Sequence, residues 1–129
     1  MRLSRSAVLT PLLLLLVAVA FSVTGELLLK YGVDRVGVLN LELAKLLPTL
    51  VRVFSTPAIL AGFTLIFTGS IFWLSVISRV PLSYAYPLLS TSYVFVVLGS
   101  WFFLGETLTL HRIVGVLIIC TGVVVVFRS

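Results

Sequence analysis

Charge is scarce in this chain. Of its 129 residues, 10% are Asp, Glu, Lys or Arg, and the four acids are Glu26, Asp34, Glu42 and Glu106; no soluble domain of this size looks like that. A single cysteine, Cys120, excludes an intramolecular disulfide and any cysteine metal cluster, and reads as a small packing residue. His111 is the one histidine, and no nucleophile–base pair, metal-ligand set or phosphate loop accompanies it. The sequence therefore predicts neither an enzyme nor a cofactor or metal site. The net charge of +5 comes from nine scattered basic residues, with no run of the kind that tracks phosphates, so nucleic acid is not an expected partner. Lipid headgroups are the better match for those cations.

What is abundant is apolar length. With 60% hydrophobic residues and a mean hydropathy of +1.28, the chain offers four stretches near the ~20 residues that a helix needs to cross a bilayer. They are residues 8–29, 58–77, 82–104 and 109–127. The prediction is one all-α membrane domain, residues 1–129, built as a four-helix bundle. Four helices rarely enclose a solute cavity alone, so a dimer is expected. Arg2 and Arg5 ahead of an apolar run also suit a signal peptide. That run is long for such a segment and continues through Thr24 and Glu26 to Leu29, so it is read as the first span. Counting Lys and Arg on the two sides gives no usable bias, and orientation stays open, dual insertion included.

The long connection between the first two spans carries a pattern of its own. Over residues 38–54, Leu39, Leu43, Leu46, Leu47, Leu50 and Phe54 recur at helical spacing, with Glu42, Lys45, Thr49 and Arg52 opposite them. This is an interfacial amphipathic segment, which Pro48 is expected to kink or divide. It serves either as a surface-lying linker or in admitting a lipid.

Polar residues within the spans supply the candidate site. Ser22, Gly25 and Glu26 share a face of the first span, and Lys30 follows Glu26 at i+4, the spacing at which opposite charges meet. Two readings stand. Either Glu26 and Lys30 pair near the interface, or Glu26 borders a cavity and binds a cation or proton while Lys30 meets an anionic headgroup. In the third span Ser83, Tyr86, Ser90 and Tyr93 form one polar stripe, and Pro87 is the expected hinge because it cannot donate its amide and clashes with the preceding turn. Interhelical hydrogen bonding, worth about 0.6 kcal/mol per bond, is the competing account of such hydroxyls, including Thr64, Thr68 and Ser75 of the second span. Gly115 and Gly122, seven apart on the fourth span, mark a candidate subunit contact or a packing face within one subunit. Thr109 is placed to cap that helix.

The stretches SVTGELLLKYG, VPLSYAYPLLSTSYVFVVL and FFLGETLTLHRIVGVLIICTGVVVV resemble the small four-helix members of the drug/metabolite transporter superfamily. Two branches compete. The small multidrug resistance branch carries a proton-coupling glutamate eight residues before the lysine that ends the first span, where this chain has Ser22. The AYPLLS motif with its following aromatics is more similar to the EamA-like flippase subunits that move undecaprenyl-phosphate-linked aminoarabinose across the bacterial inner membrane, in which a glutamine commonly stands at the position of Glu26.

That resemblance implies a multi-pass protein of a bacterial or archaeal cytoplasmic membrane, working as a homodimer or with a related four-helix partner. It would translocate a polyprenyl-phosphate-linked sugar or similar amphiphile. Lys30 and Arg79, near opposite surfaces, would attract the phosphate, while Glu26, Tyr86, Ser90 and Tyr93, with Ser22 nearby, would contact the polar head. The alternatives are a proton-coupled exporter of cationic compounds, with Glu26 as the shared site, and a non-transporting membrane subunit.

Overall fold

The computed structural model describes residues 4–129 as helices α1 (Arg5–Val36), α2 (Leu43–Phe54), α3 (Pro57–Ile77), α4 (Leu82–Leu89), α5 (Ser92–Phe103) and α6 (Leu110–Phe127). No strand occurs among the described residues. Four units are long and apolar enough to cross a membrane: α1, α3, α4 with α5, and α6. This is an all-α, multi-pass membrane architecture. Arg2 lies outside the described residues.

Hydropathy sets the spans, but small residues set how they pack. α1 and α3 run antiparallel in the closest contact of the molecule. A Cβ added to Gly25 would lie 2.7 Å from the Gly62 carbonyl oxygen, one on Gly32 would lie 2.6 Å from the Ile59 side chain, and one on Gly69 would lie 3.1 Å from the Ala18 carbonyl oxygen. Ala18, Gly25 and Gly32 are spaced by seven, as are Gly62 and Gly69, so each helix presents one small-residue seam to the other. Neither polar side chains nor ion pairs hold this interface. It is backbone approach and dispersion, with Phe21 stacked on Phe72 (centroids 5.7 Å apart) beside it.

The buried core lies toward the end where α1 starts and α6 finishes, called the termini end below. Leu15, Val19 and Val23 of α1 meet Val76 of α3 and Ala85 and Leu88 of α4. α5 touches α1 where Gly99 admits the Leu27 side chain. α6 rests mainly against α4, and none of its residues is buried. Its first turn is capped as the sequence predicts, with the Arg112 amide donating to Thr109 Oγ1 (3.3 Å). Gly105, at φ +68°, makes the preceding turn, a backbone region that favours glycine.

Three details bear on the expected segments. The amphipathic helix begins at Leu43, with Glu42 as its N-cap; residues 38–42 are not helical. Pro48 sits inside α2 without dividing it, because only one amide is lost and the helix around it is otherwise bonded. The third span breaks at Ser90–Thr91, three residues after Pro87. There the backbone tightens to i→i−3 bonds, with Thr91 N donating to Leu88 O (3.1 Å) and Tyr93 N to Ser90 O (3.1 Å). The Thr91 hydroxyl also donates to Leu88 O (2.9 Å), so the side chain competes with the helix for the same carbonyl.

Candidate functional site

The polar stripe of the third span and the acid of the first come together. Glu26, Tyr86, Ser90 and Tyr93 line one pocket of about 270 Å³, with Leu89 and Val96 among its walls. The helical spacing of Tyr86, Ser90 and Tyr93 keeps them on one side despite the break, since a tightened turn advances the chain without reversing its face. Tyr86 is fixed by a T-shaped contact with Trp73 of α3, ring centroids 5.4 Å apart and planes at 87°.

Neither the Glu26 carboxylate nor the two tyrosine hydroxyls has a hydrogen-bond partner among the described residues, and Ser90 Oγ makes only a long 3.4 Å bond to the Tyr86 carbonyl. An acid inside an apolar helix costs up to about 3 kcal/mol on insertion scales, several times what one interhelical hydrogen bond returns. Here no such bond to Glu26 exists to offset it. Tyr86 and Ser90 also border a second, more open pocket of about 400 Å³ shared with Pro87 and Gly122. The two pockets thus adjoin along α4.

Three expected site residues lie elsewhere. Ser22 is at the α1–α3 seam, where its Oγ would be 3.3 Å from a Cβ on Gly69. Lys30 does not pair with Glu26; its Nζ meets Asp34 Oδ1 at 2.9 Å, one turn farther along α1, with both side chains half exposed. Glu26 turns toward α4 and α5, whereas Lys30 extends away from the span, so the acid at i+4 wins over the acid at i−4. Arg79 is at the other end of the bundle. Its Nη1 donates to the Ser75 carbonyl oxygen (2.7 Å) and to Ser75 Oγ. Thr64 and Thr68 donate to the Leu60 and Thr64 carbonyls of their own helix (2.9 and 2.8 Å) and line no pocket with Glu26.

The sequence reading missed one sizeable cavity. A space of about 600 Å³ opens at the termini end, bordered by Arg79, Tyr84, Pro11, Leu15 and Phe127. It shares Leu12, Leu15, Leu88 and Phe127 with an adjoining crevice of about 300 Å³ between α1 and α6, which is almost wholly apolar. A guanidinium and a phenol at one end and a greasy trough at the other make this continuous space amphipathic. The signal was present in Arg79 and Tyr84 flanking Pro81, but the trough needs residues from three helices, α1, α4 and α6. Gly115 and Gly122 have no atom within 4 Å of an added Cβ, so neither is a packing contact within the chain.

A small multi-pass bundle with one polar pocket at the start of its third span and another at the middle has the form of a membrane transporter. The chain belongs to the EamA-like transporter family, which matches residues 9–128. It is similar to the protein of Photorhabdus laumondii named "Probable 4-amino-4-deoxy-L-arabinose-phosphoundecaprenol flippase subunit ArnF", 36% identical over 119 residues that cover 88% of this chain and 93% of that relative. It is also similar to proteins named as the ArnE subunit. The one of Enterobacter sp. (strain 638) is 42% identical over 52 residues, 40% of this chain and 49% of the relative. The one of Aeromonas hydrophila is 36% identical over 67 residues, 52% of this chain and 59% of the relative. No solved structure matches.

Proposed function

We propose that this chain is a subunit of a flippase that moves a polyprenyl-phosphate-linked sugar or similar amphiphile across a bacterial or archaeal inner membrane, paired with a second copy or a related four-helix protein. The observation that carries the reading is the convergence of Glu26, Tyr86, Ser90 and Tyr93, all without strong protein partners, on one pocket. Groups left unsatisfied in an apolar span are suited to a hydroxyl-rich ligand. The ArnF and ArnE names of its relatives support the same class of cargo.

Each end of the bundle has its own task. Arg79 at the termini end and Lys30 at the other attract the phosphate, and the exposed Lys30–Asp34 pair is weak enough to open for an incoming anion. The sugar contacts Glu26, Tyr86, Ser90 and Tyr93, while the isoprenoid chain stays in the bilayer or enters the α1–α6 trough. Helix pairs rock about the Pro87–Thr91 segment to expose each end in turn. No covalent bond forms or breaks.

The test is transbilayer movement of a labelled polyprenyl-phosphate sugar in proteoliposomes. Movement that is lost in Lys30→Ala and in the Tyr86→Phe, Tyr93→Phe double variant, and kept in Glu26→Gln, supports the flippase. The unpaired Glu26 carboxylate also favours a second reading, a proton-coupled exporter of cations. A cation flux abolished by Glu26→Gln, with no lipid movement, would install that reading instead.

A further inference from the structure

The polar residues Thr49 and Arg52 of α2 are held against the end of α1 and its connection, and the apolar side of the helix faces out. Thr49, only 9% exposed, donates its hydroxyl to the Asn40 carbonyl oxygen (2.9 Å), and Arg52 Nη2 donates to the Val36 carbonyl oxygen at the end of α1 (2.7 Å). Leu43, Leu47, Val51 and Phe54 are 91%, 72%, 58% and 55% exposed. A helix arranged this way is unstable in water and settled in the boundary layer of a bilayer. Its tethers keep it there: residues 37–42 join it to the end of α1, and Ser55 and Thr56 join it to the start of α3.

Beneath the inward side is a pocket of about 250 Å³ bordered by Asn40, Lys45, Pro48, Thr49 and Arg52. No carboxylate lines it. The Lys45 ammonium is in no ion pair among the described residues. Arg52 spends one nitrogen on Val36, leaving the rest of its fork, and the Asn40 side-chain oxygen accepts from the Glu42 amide (3.0 Å), leaving its NH₂ free. Two cations and an amide donor at headgroup depth, beside Val36, Val38 and Leu39 in the same lining, match the phosphate of a phospholipid and the start of its apolar part.

We propose that α2 is a membrane-surface helix whose Asn40–Lys45–Arg52 pocket holds the phosphate of an anionic bilayer phospholipid as a resident ligand. Charge complementarity selects the anionic lipid over a zwitterionic one, whose own ammonium would be repelled by Lys45. The site is separate from the Glu26 and Arg79 pockets, and it stands whether or not the chain moves a lipid-linked sugar.

The full chain is reconstituted in phosphatidylcholine nanodiscs with and without phosphatidylglycerol, and retained lipid is read by native mass spectrometry. Retention of phosphatidylglycerol is expected to fall on the order of ten-fold in Lys45→Ala, Arg52→Ala and to be unchanged in Arg112→Ala, which removes a cation from the same membrane side. Equal retention in the double variant overturns the proposal. So does displacement of the phosphatidylglycerol by substoichiometric undecaprenyl phosphate, which would make the pocket a substrate site. A nitroxide at Leu47→Cys, in a Cys120→Ser background, is expected to be relaxed by oxygen more than by a water-soluble nickel chelate. Inaccessibility to both would mean that a partner protein covers the leucines, and would overturn the proposal independently of the basic pocket.

Discussion

Gly25 and Gly62 occupy each other's side-chain space: a Cβ on either would stand 2.7 Å from the carbonyl oxygen of the other. Backbone cannot swing aside as a side chain can, so even one methyl group here must push α1 from α3. Gly25→Ala and Gly62→Ala are each expected to destabilise the protein by about 1–3 kcal/mol, the usual range for overpacking, and the double variant by less than the sum, since the first separation relieves the second. Thermal unfolding in detergent followed by circular dichroism checks both points.

Gly115 and Gly122 repeat the seven-residue spacing of that seam on α6, and no atom lies within 4 Å of a Cβ added to either. If a second subunit fills this space, Gly115→Leu and Gly122→Leu leave the unfolding temperature of the detergent-solubilised monomer unchanged and weaken the dimer. Light scattering of the solubilised protein across a concentration series reads this directly. An unchanged dimer would move the subunit contact off α6.

Asp34 Oδ1 stands 2.9 Å from the Lys30 ammonium, where it would compete with the phosphate of the proposed cargo. Because both side chains are half exposed, Asp34→Asn is expected to leave the unfolding temperature where it is. It is expected to lower the lipid concentration at half-maximal transport, with Lys30→Ala reversing the gain. A concentration series in proteoliposomes for the single and double variants separates the two effects.

Pro87 stands one turn before the break between α4 and α5. Restoring an amide with Pro87→Ala allows bonding to the carbonyl of Ser83 and stiffens the span. Amide exchange over Ser90–Tyr93 is expected to slow and the transport rate to fall, with ligand affinity within about two-fold of the starting protein. Affinity lost in proportion to rate would mean that Pro87 shapes the pocket rather than its motion.

The spans were legible because each needs only its own composition. So was the Tyr86, Ser90, Tyr93 stripe, which a single helical period defines, and the thickness of that stripe tolerated a break three residues from where proline placed it. Ser22 was misplaced for a geometric reason. It is about 40° around α1 from Glu26 at ~100° per residue, close enough to share a face on paper, yet the edge of α3 divides that face, leaving Ser22 at the seam and Glu26 at the pocket. The glycine seam was invisible for another reason: Gly25 and Gly62 belong to different helices, and nothing in either local sequence names its partner. On α6, with few polar residues to distract, the same spacing stood out, although no residue of the chain packs on those glycines. Lys30 had acids at both i−4 and i+4, and only the direction of the pocket decided between them.

α1 has 32 residues and its seam partner α3 has 21, lengths of about 48 Å and about 32 Å at the usual helical rise. Locked to α3 by glycines, α1 moves with it as one body, and the depth of Glu26 follows how that body sits in the acyl layer. Short-chain lipids, by thinning the bilayer, bring the acid toward water, and long-chain lipids sink it. Bilayer thickness thereby bears on the depth of Glu26 through α1 and α3 moving as a unit, and not through any one residue's contacts.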